Sequence, residues 1–519
     1  MFIFLLVRTL MVVGHVAHAS DRKEQYRPQY HFSPPYGWMN DPNGMVYDPK
    51  AGEYHLYYQY NPNSTVNGAP HWGHTVSRDL IHWQDLPIAL YPNEEGTAFS
   101  GSVIIDEHNV TGLRQSDDKN VLVAMFTRDV RDEPQSQYGI ESQHIWYSND
   151  LGRTYERYEG NPVLIEDPKI KDIRDPKVRR HGNGYIAPLA AGDEIRFYKS
   201  NDMKNWQLTS SFGANPPHGS HGIAGEGIWE CPDLIPFEID GKKLWVLFVS
   251  INPGGPIVGS ATQYFIGNFD GTTFTNLNPP NKIMWLDMGP DNYAGVTFET
   301  TPKPDPVFIG WASNWDYGRE TPTTTWRGQM TMPRTLHLVK VNGGEYRLRS
   351  FPIQEINSLR YSTIFGIGPQ PNTATDSPSG LQNLHAINVA TDVEQWHAEM
   401  ELIFDNSLNI TLSNERGESM VMLMDHNGKI TIDRSKSGHT ISPTFRKKII
   451  GQRVVKDKKV AIDIYHDSSL TEIFFDKGLT SFTVQSFPTS MFNRFHVAVG
   501  PGQGKIIDAR IYKLRSIWN

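Results

Sequence analysis

Trp38-Met39-Asn40-Asp41-Pro42-Asn43-Gly44, Arg174-Asp175-Pro176 and Trp229-Glu230-Cys231-Pro232-Asp233 each set one carboxylate beside a proline and an aromatic or arginine residue. Cleaving a glycosidic bond needs one carboxylate to attack or stabilise the anomeric carbon and a second, protonated one to serve the departing oxygen. Asp41 and Glu230 are the candidates for these two roles. An ionised nucleophile wants hydrogen-bond donors, whereas an acid wants its proton held by burial or a like charge, and Glu230 between Trp229 and Cys231 is expected in apolar surroundings. Asp175 follows Arg174, whose fixed charge is expected to keep it ionised and suited to gripping sugar hydroxyls. Binding and transition-state stabilisation are therefore its expected roles.

Taken singly, each word has a plainer reading. Asn-Asp-Pro-Asn-Gly is a turn signal, because Asn and Asp cap turns, Pro presets φ and Gly accepts φ > 0. Arg174-Asp175 alone reads as a surface ion pair, which contributes little to stability. Joined by Phe99-Ser100-Gly101-Ser102 in the same order, the words resemble glycoside hydrolase family thirty-two, the invertases, inulinases, levanases and fructan-processing relatives. The resemblance runs from about Tyr30 to the C-terminus and is strongest before residue 340. Beyond it, only Glu472-Ile473-Phe474-Phe475-Asp476-Lys477-Gly478 and Ser486-Phe487-Pro488 carry it.

The resemblance implies a retaining double displacement: Asp41 forms a covalent fructosyl-enzyme, Glu230 acts first as acid and then as base, and Asp175 holds two fructose hydroxyls. Carried over position by position, it implies a fructose pocket of Asn40, Gln59, Trp72, Phe99, Ser100, Arg174, Tyr293 and Trp315. Amides, hydroxyls and arginine give directional hydrogen bonds, and Trp and Phe offer flat apolar faces to a sugar ring. The words at 287–294, 314–317 and 326–334 look closest to microbial-type enzymes that remove terminal fructose, and are expected to shape the pocket mouth and the leaving-group subsite. Sucrose is the first substrate expected, with inulin and levan chain ends behind it. A fructosyltransferase would share every word, since a sugar instead of water then intercepts the same fructosyl-enzyme. A non-catalytic fructan-binding protein would keep the scaffold and lose an acid, but all three are present.

Charge agrees with a small neutral substrate. Lys plus Arg total 49 against 57 Asp plus Glu, a formal charge of −8 with no basic run, which argues against nucleic acid or an anionic membrane as partner. The single cysteine, Cys231, excludes an internal disulfide and is expected to be buried, with no base in its segment to make it a nucleophile. His71/His74 and His218/His221 have a spacing that could suggest a metal, but no third ligand follows, so neither metal nor other cofactor is expected.

The elements that must gather these residues are also legible. Residues 1–19 are mostly apolar, end in Ala17-His18-Ala19 and give way to Ser20-Asp21-Arg22-Lys23, the pattern of a signal peptide cleaved after Ala19 and of a secreted product. Arg8 divides the run, leaving it short of the ~20 residues of a membrane span. Sequons at Asn63, Asn109 and Asn409 would permit N-glycosylation. A Ser-x-Asp turn followed by an aromatic starts at Ser77, Ser148 and Ser200, with a looser copy at 267–274. Each follows an apolar run such as Leu244-Trp245-Val246-Leu247-Phe248-Val249-Ser250. Recurrent strand–turn–strand units point to a β-propeller, whose inner strands would bring the three acids into one funnel. Family resemblance implies five blades. The chain is too long for one core, and eleven of its thirteen Trp precede residue 340. Alternating patterns such as Lys459-Val460-Ala461-Ile462-Asp463-Ile464-Tyr465 dominate afterwards, and 366–380 is loop-like. The expected architecture is all-β: a signal peptide at 1–19, a catalytic five-bladed propeller at 20–350, a connector at 351–368 with a short helical stretch from Phe351 to Arg360, and a β-sandwich at 369–519.

Overall fold

The computed structural model describes residues 21–130, 141–167, 170–213, 227–279, 281–341, 343–368 and 384–518. The expected signal peptide, His218 and His221 lie outside the described residues.

Five antiparallel sheets follow one another along the chain. The first comprises Gly37–Asp48, Glu53–Asn61, His71–Ser77 and Trp83–Leu90, and the second Thr97–Ile105, Leu122–Asp129, Glu141–Ser148 and Glu156–Arg157. In the third, Ile173–Arg174 and Arg179–His181 pair with Gly184–Ala191, which leads to Glu194–Ser200 and Gln207–Gly213. Ile228–Ile239, Lys242–Asn252, Ala261–Phe269 and Phe274–Asn276 make the fourth; Tyr293–Thr297, Val307–Trp311, Arg334–Lys340 and Tyr346–Pro352 make the fifth. Each sheet is a blade whose first strand lies innermost: Gly37–Asp48 touches both Thr97–Ile105 and Tyr293–Thr297, which in turn touches Ile228–Ile239. The ring is a β-propeller. It closes where Trp326–Arg327 pairs in parallel with Gly37 and Trp38, and where Tyr47 donates its N–H to the Glu299 carbonyl.

The Ser-x-Asp repeats are the turns between the third and outermost strands of the first three blades. The hydroxyls of Ser77, Ser148 and Ser200 accept the N–H groups of Leu80, Gly152 and Met203, while Asp79, Asp150 and Asp202 collect those that follow. Asp270 serves Thr272 and Thr273 likewise in the fourth blade. Side-chain acceptors replace the interrupted ladder, which lets Leu80, Leu151 and Met203 hold φ of 68°, 63° and 61°. The apolar core lies between blades: Ile186 and Phe197 of the third pack on Trp229, Trp245 and Phe265 of the fourth, and Tyr57 and Trp72 of the first on Val103 and Phe126 of the second. The axis is left to polar groups.

Two six-stranded sheets follow as a β-sandwich. One runs in the order Arg360–Ile367, Lys505–Leu514, Gln395–Ile403, Lys459–Asp467, Leu470–Phe475, Thr480–Gln485. The other runs Ala386–Ala390, Arg494–Val499, Ser407–Ser413, Ser419–Asp425, Lys429–Lys436, Ile449–Gln452. Alternate residues such as Val460, Ile462 and Ile464 meet Ile410, Met422 and Ile432 in its core. Within the stretch expected as a connector, Gln354–Leu359 is a 3-10 turn, whereas Arg360–Ile367 is already a strand of the sandwich.

Buried charge bolts the two units together. Arg334 lies 3.0 Å from Asp287 and 2.6 Å from Glu472, Arg434 lies 2.8 Å from Asp291, and His31 sits between Asp467 and Glu472 at 2.8 and 3.1 Å. The main chain joins in, with Met288 and Asp291 donating to the Ser481 and Thr483 carbonyls at 2.8 and 3.2 Å. This corrects part of the expectation for 287–294: Asp287 and Asp291 are buried in the seam with the sandwich, and Tyr293 is the residue of that word that reaches the carboxylates.

Candidate active site

The innermost strands lose their regular register where the acids stand. Pairing slips between Met39 and Pro42, between Ala98 and Gly101, between Glu230 and Asp233 and between Tyr293 and Val296. Asp175, with φ of 66°, follows the two-residue strand Ile173–Arg174 in the third blade. A bulge leaves a residue out of the ladder and re-aims its side chain. Pro42, Pro176 and Pro232 favour such breaks, because proline has no N–H to give a neighbouring strand.

The three carboxylates converge. Asp41 accepts Asn40 Nδ2 on Oδ1 at 2.9 Å and the Ser100 hydroxyl on Oδ2 at 2.7 Å, and Asn40 is itself oriented by Trp38 Nε1 at 2.7 Å. Cys231 joins Asp41 to Asp175: its Sγ lies 3.5 Å from an oxygen of each, and its N–H donates to Asp175 Oδ2 at 3.0 Å. Asp175 N–H is fixed on Thr127 Oγ1 at 3.0 Å. Glu230 accepts Arg174 Nε on Oε1 at 3.1 Å and the Tyr293 hydroxyl on Oε2.

Burial, and Glu230 when ionised, raise Asp41 from its ordinary value, against the pull of Asn40, Ser100 and Cys231. Asp175 is raised as well, by burial and Glu230, with Asp41 adding to it. Arg174, whose fixed charge was expected to keep Asp175 ionised, opposes this rise only in part. The guanidinium turns instead to Glu230, to Glu141 at 2.9 Å and to Asp172 at 2.7 Å, and its opposing effect on Asp175 does not prevail. The same geometry corrects the apolar setting expected for Glu230. Trp229 packs away with Phe212 and Phe265, while the carboxylate lies between a cation and a phenol. Burial and the surrounding carboxylates push the Cys231 thiol well up, so it stays protonated and serves as a bridge. Burial and Glu230 likewise keep Tyr293 a phenol, able to donate.

The remaining expected residues divide. Asn40 and Ser100 touch Asp41 directly. Trp315 is half-buried and stacks on Trp38, ring centres 5.8 Å apart at 28°. Gln59 gives its amide to the Ala98 carbonyl, and the fully buried Trp72 gives its indole N–H to the Phe99 carbonyl at 2.9 Å. These two brace the bulge that carries Phe99 and Ser100, so Trp72 offers no open face to a sugar. Thr127, Glu141 and Asp172 were missed: none stands in the acidic words, and the partners of Thr127 and Glu141 come from another blade, while Asp172 meets Arg174 two residues on. His71 binds the Ala69 carbonyl, whereas His74 stacks on Tyr57 and meets His55 at 3.1 Å. Among the described residues one group, His397, Glu399 and Asp463 in the sandwich, has ligand atoms close enough to hold an ion, and Arg360 and Lys477 already pair with it.

One carboxylate is held by neutral donors and another by a cation and a phenol, with a third, buried, within electrostatic reach of both. Differently supported carboxylates at one carbon are suited to nucleophilic and acid–base chemistry on a glycosidic bond.

Both units of the chain have known relatives. Residues 31–352 match the model of the glycosyl hydrolases family 32 N-terminal domain, and residues 358–513 that of the C-terminal domain. A levanase of Bacillus subtilis (strain 168) is 39% identical over 533 residues, covering 100% of this chain and 75% of the levanase. An extracellular exo-inulinase of Aspergillus niger is 34% identical over 550 residues, covering 98% of each. Among solved structures, the exo-inulinase of Aspergillus awamori superposes with a TM-score of 0.84 at 32% identity, covering 96% of this chain and 100% of that one.

Proposed function

The chain belongs to glycosyl hydrolase family 32, and from that premise we propose that it is a retaining, exo-acting β-fructosidase that releases terminal fructose from fructan chain ends and from sucrose. In the first step an Asp41 oxygen attacks the anomeric C2 of the terminal fructosyl unit, the C2–oxygen bond breaks, and Glu230 gives its proton to the leaving oxygen. In the second, Glu230 takes a proton from water, the hydroxide attacks C2, and Asp41 departs as a carboxylate. Asp175 binds fructose hydroxyls and stabilises the oxocarbenium-like charge, while Asn40, Ser100, Arg174 and Tyr293 orient the reacting pair.

The observation that carries this reading is the contrast between the two carboxylates: Asp41 supplied with neutral donors, Glu230 clamped by Arg174 and Tyr293. The sequence put sucrose first. That a levanase and exo-inulinases are among the similar relatives supports moving fructan ends ahead, with sucrose taken by the same fructose-sized subsite. The apolar segment 1–19 and the relatives named extracellular support secretion.

The test is fructose release from levan, inulin and sucrose, followed by two variants. Asp41→Ala should lose at least ~90% of turnover while folding as the parent. Glu230→Gln should fail on sucrose yet keep turnover on an aryl fructoside, whose leaving group needs no proton. More than a tenth of the activity left in Asp41→Ala, or equal rates of Glu230→Gln and parent on sucrose, would remove that residue from its role. Glucose released in excess of fructose from concentrated sucrose would mean transfer to a sugar.

A further inference from the structure

The Arg174 guanidinium holds three carboxylates, and only Glu230 belongs to the pair proposed to react. Nε lies 3.1 Å from Glu230 Oε1, while Nη1 lies 2.9 Å from Glu141 Oε1 and 2.7 Å from Asp172 Oδ1. Glu141 is buried at the start of Glu141–Ser148, the third strand of the second blade, and Asp172 holds φ of 58° just before Ile173–Arg174. Gathering two further acids on one buried guanidinium carries a desolvation cost.

We propose that Glu141, with Asp172 beside it, is a positioning residue for the acid step: it takes up part of the positive charge of Arg174 and fixes the guanidinium fork, so that Glu230 can hold a proton beside a permanent cation. This rests on the reading of Glu230 as the acid. A guanidinium at hydrogen-bond distance favours the ionised carboxylate, and unopposed it would strip the acid of its proton at the pH where the proton must be given. An anion on the far side of the same planar group cancels part of that field. Because the fork is rigid, fixing Nη1 also sets where Nε meets Oε1. Among the described residues, the charged and titratable groups facing Glu230 are Arg174 on one oxygen, Tyr293 on the other, and Asp41, Asp175 and Cys231 around them. Of these, Arg174 is the group paired with Glu141.

The experiment is the pH dependence of kcat/KM for Glu141→Gln, Glu141→Asp and Asp172→Asn, on sucrose and on an aryl β-fructofuranoside. The amide keeps an acceptor for Arg174 but not the charge. For Glu141→Gln on sucrose the basic limb should move to lower pH by about half a unit or more, because an acid that has lost a neighbouring anion releases its proton more readily. The loss should fall on kcat more than on KM and spare the aryl fructoside, and Glu141→Asp should recover part of it. Asp172→Asn should shift the limb the same way, and it carries the test should Glu141→Gln not fold. A limb coinciding with that of the parent in a folded variant, or equal losses on both substrates, would overturn the inference and leave the proposed reaction standing. A parent enzyme that releases no fructose would overturn both.

Discussion

Ser100 shows how far one hydroxyl reaches. Asp41 must be ionised to attack, yet burial and Glu230 raise it, and the donors Asn40, Ser100 and Cys231 are what hold it down. Removing one donor therefore raises it further. In Ser100→Ala the acidic limb of kcat/KM should move to higher pH, with a loss of roughly tenfold at the plateau, the scale of a hydrogen bond to a charged group. An unmoved acidic limb would mean that Ser100 serves the substrate and not the nucleophile. At this scale the acids were legible, because the chemistry demands their residue types. The partner of Arg174 was not. Asp175 leaves the strand at φ of 66°, so adjacency in sequence does not pair it with Arg174, whose guanidinium goes to Glu230.

Strands regular in sequence pattern are interrupted where they carry chemistry. The turns were readable because each is local, one Ser and one Asp capping the next few N–H groups. The bulges were only half readable: proline marks a break, but the register slip depends on the strand alongside. Gly101 is the clearest dependence. A Cβ there would lie 2.2 Å from the Met125 carbonyl oxygen and 2.6 Å from Phe126 Cα, so the strand bearing Ser100 could not keep its place. Gly101→Ala should lower stability by about 1–3 kcal/mol, the usual cost of overpacking, and reduce kcat by a larger factor than Ser100→Ala. Thermal unfolding and sucrose turnover would check it. A variant with the parent's stability and rate would show that the second blade can slide without disturbing Asp41.

The whole molecule places an ion cluster where the propeller meets the sandwich. That seam was illegible in sequence because Asp287 and Asp291 find their partners in Arg334, Arg434, Thr483 and Gln485, and only the folded chain brings these together. Tyr293 follows Asp291 by two residues, so the seam also steadies the phenol on Glu230. His31 gives the seam a measurable signature. Burial would lower its pKa, but the hydrogen bonds and charges of Asp467 and Glu472 prevail and raise it to about 9 from an unfolded value of 6.5. A group raised on folding contributes stability that is fully present below the unfolded value and lost as pH rises through the folded one. The contribution is about 3 kcal/mol at pH 6, and it disappears between roughly pH 6.5 and 9. His31→Gln should be less stable than the parent at pH 6 and lose the part of the slope between those values that His31 supplies. Asp467 would keep the N–H groups of Gln29, Tyr30 and residue 31, and Glu472 would keep Arg334, so the fold itself should survive. Melting temperatures of both proteins from pH 5.5 to 9.5 decide it. Parallel curves would show that the imidazole does not carry the charge between its two carboxylates, and the cohesion of the seam would then rest on Arg334 and Arg434.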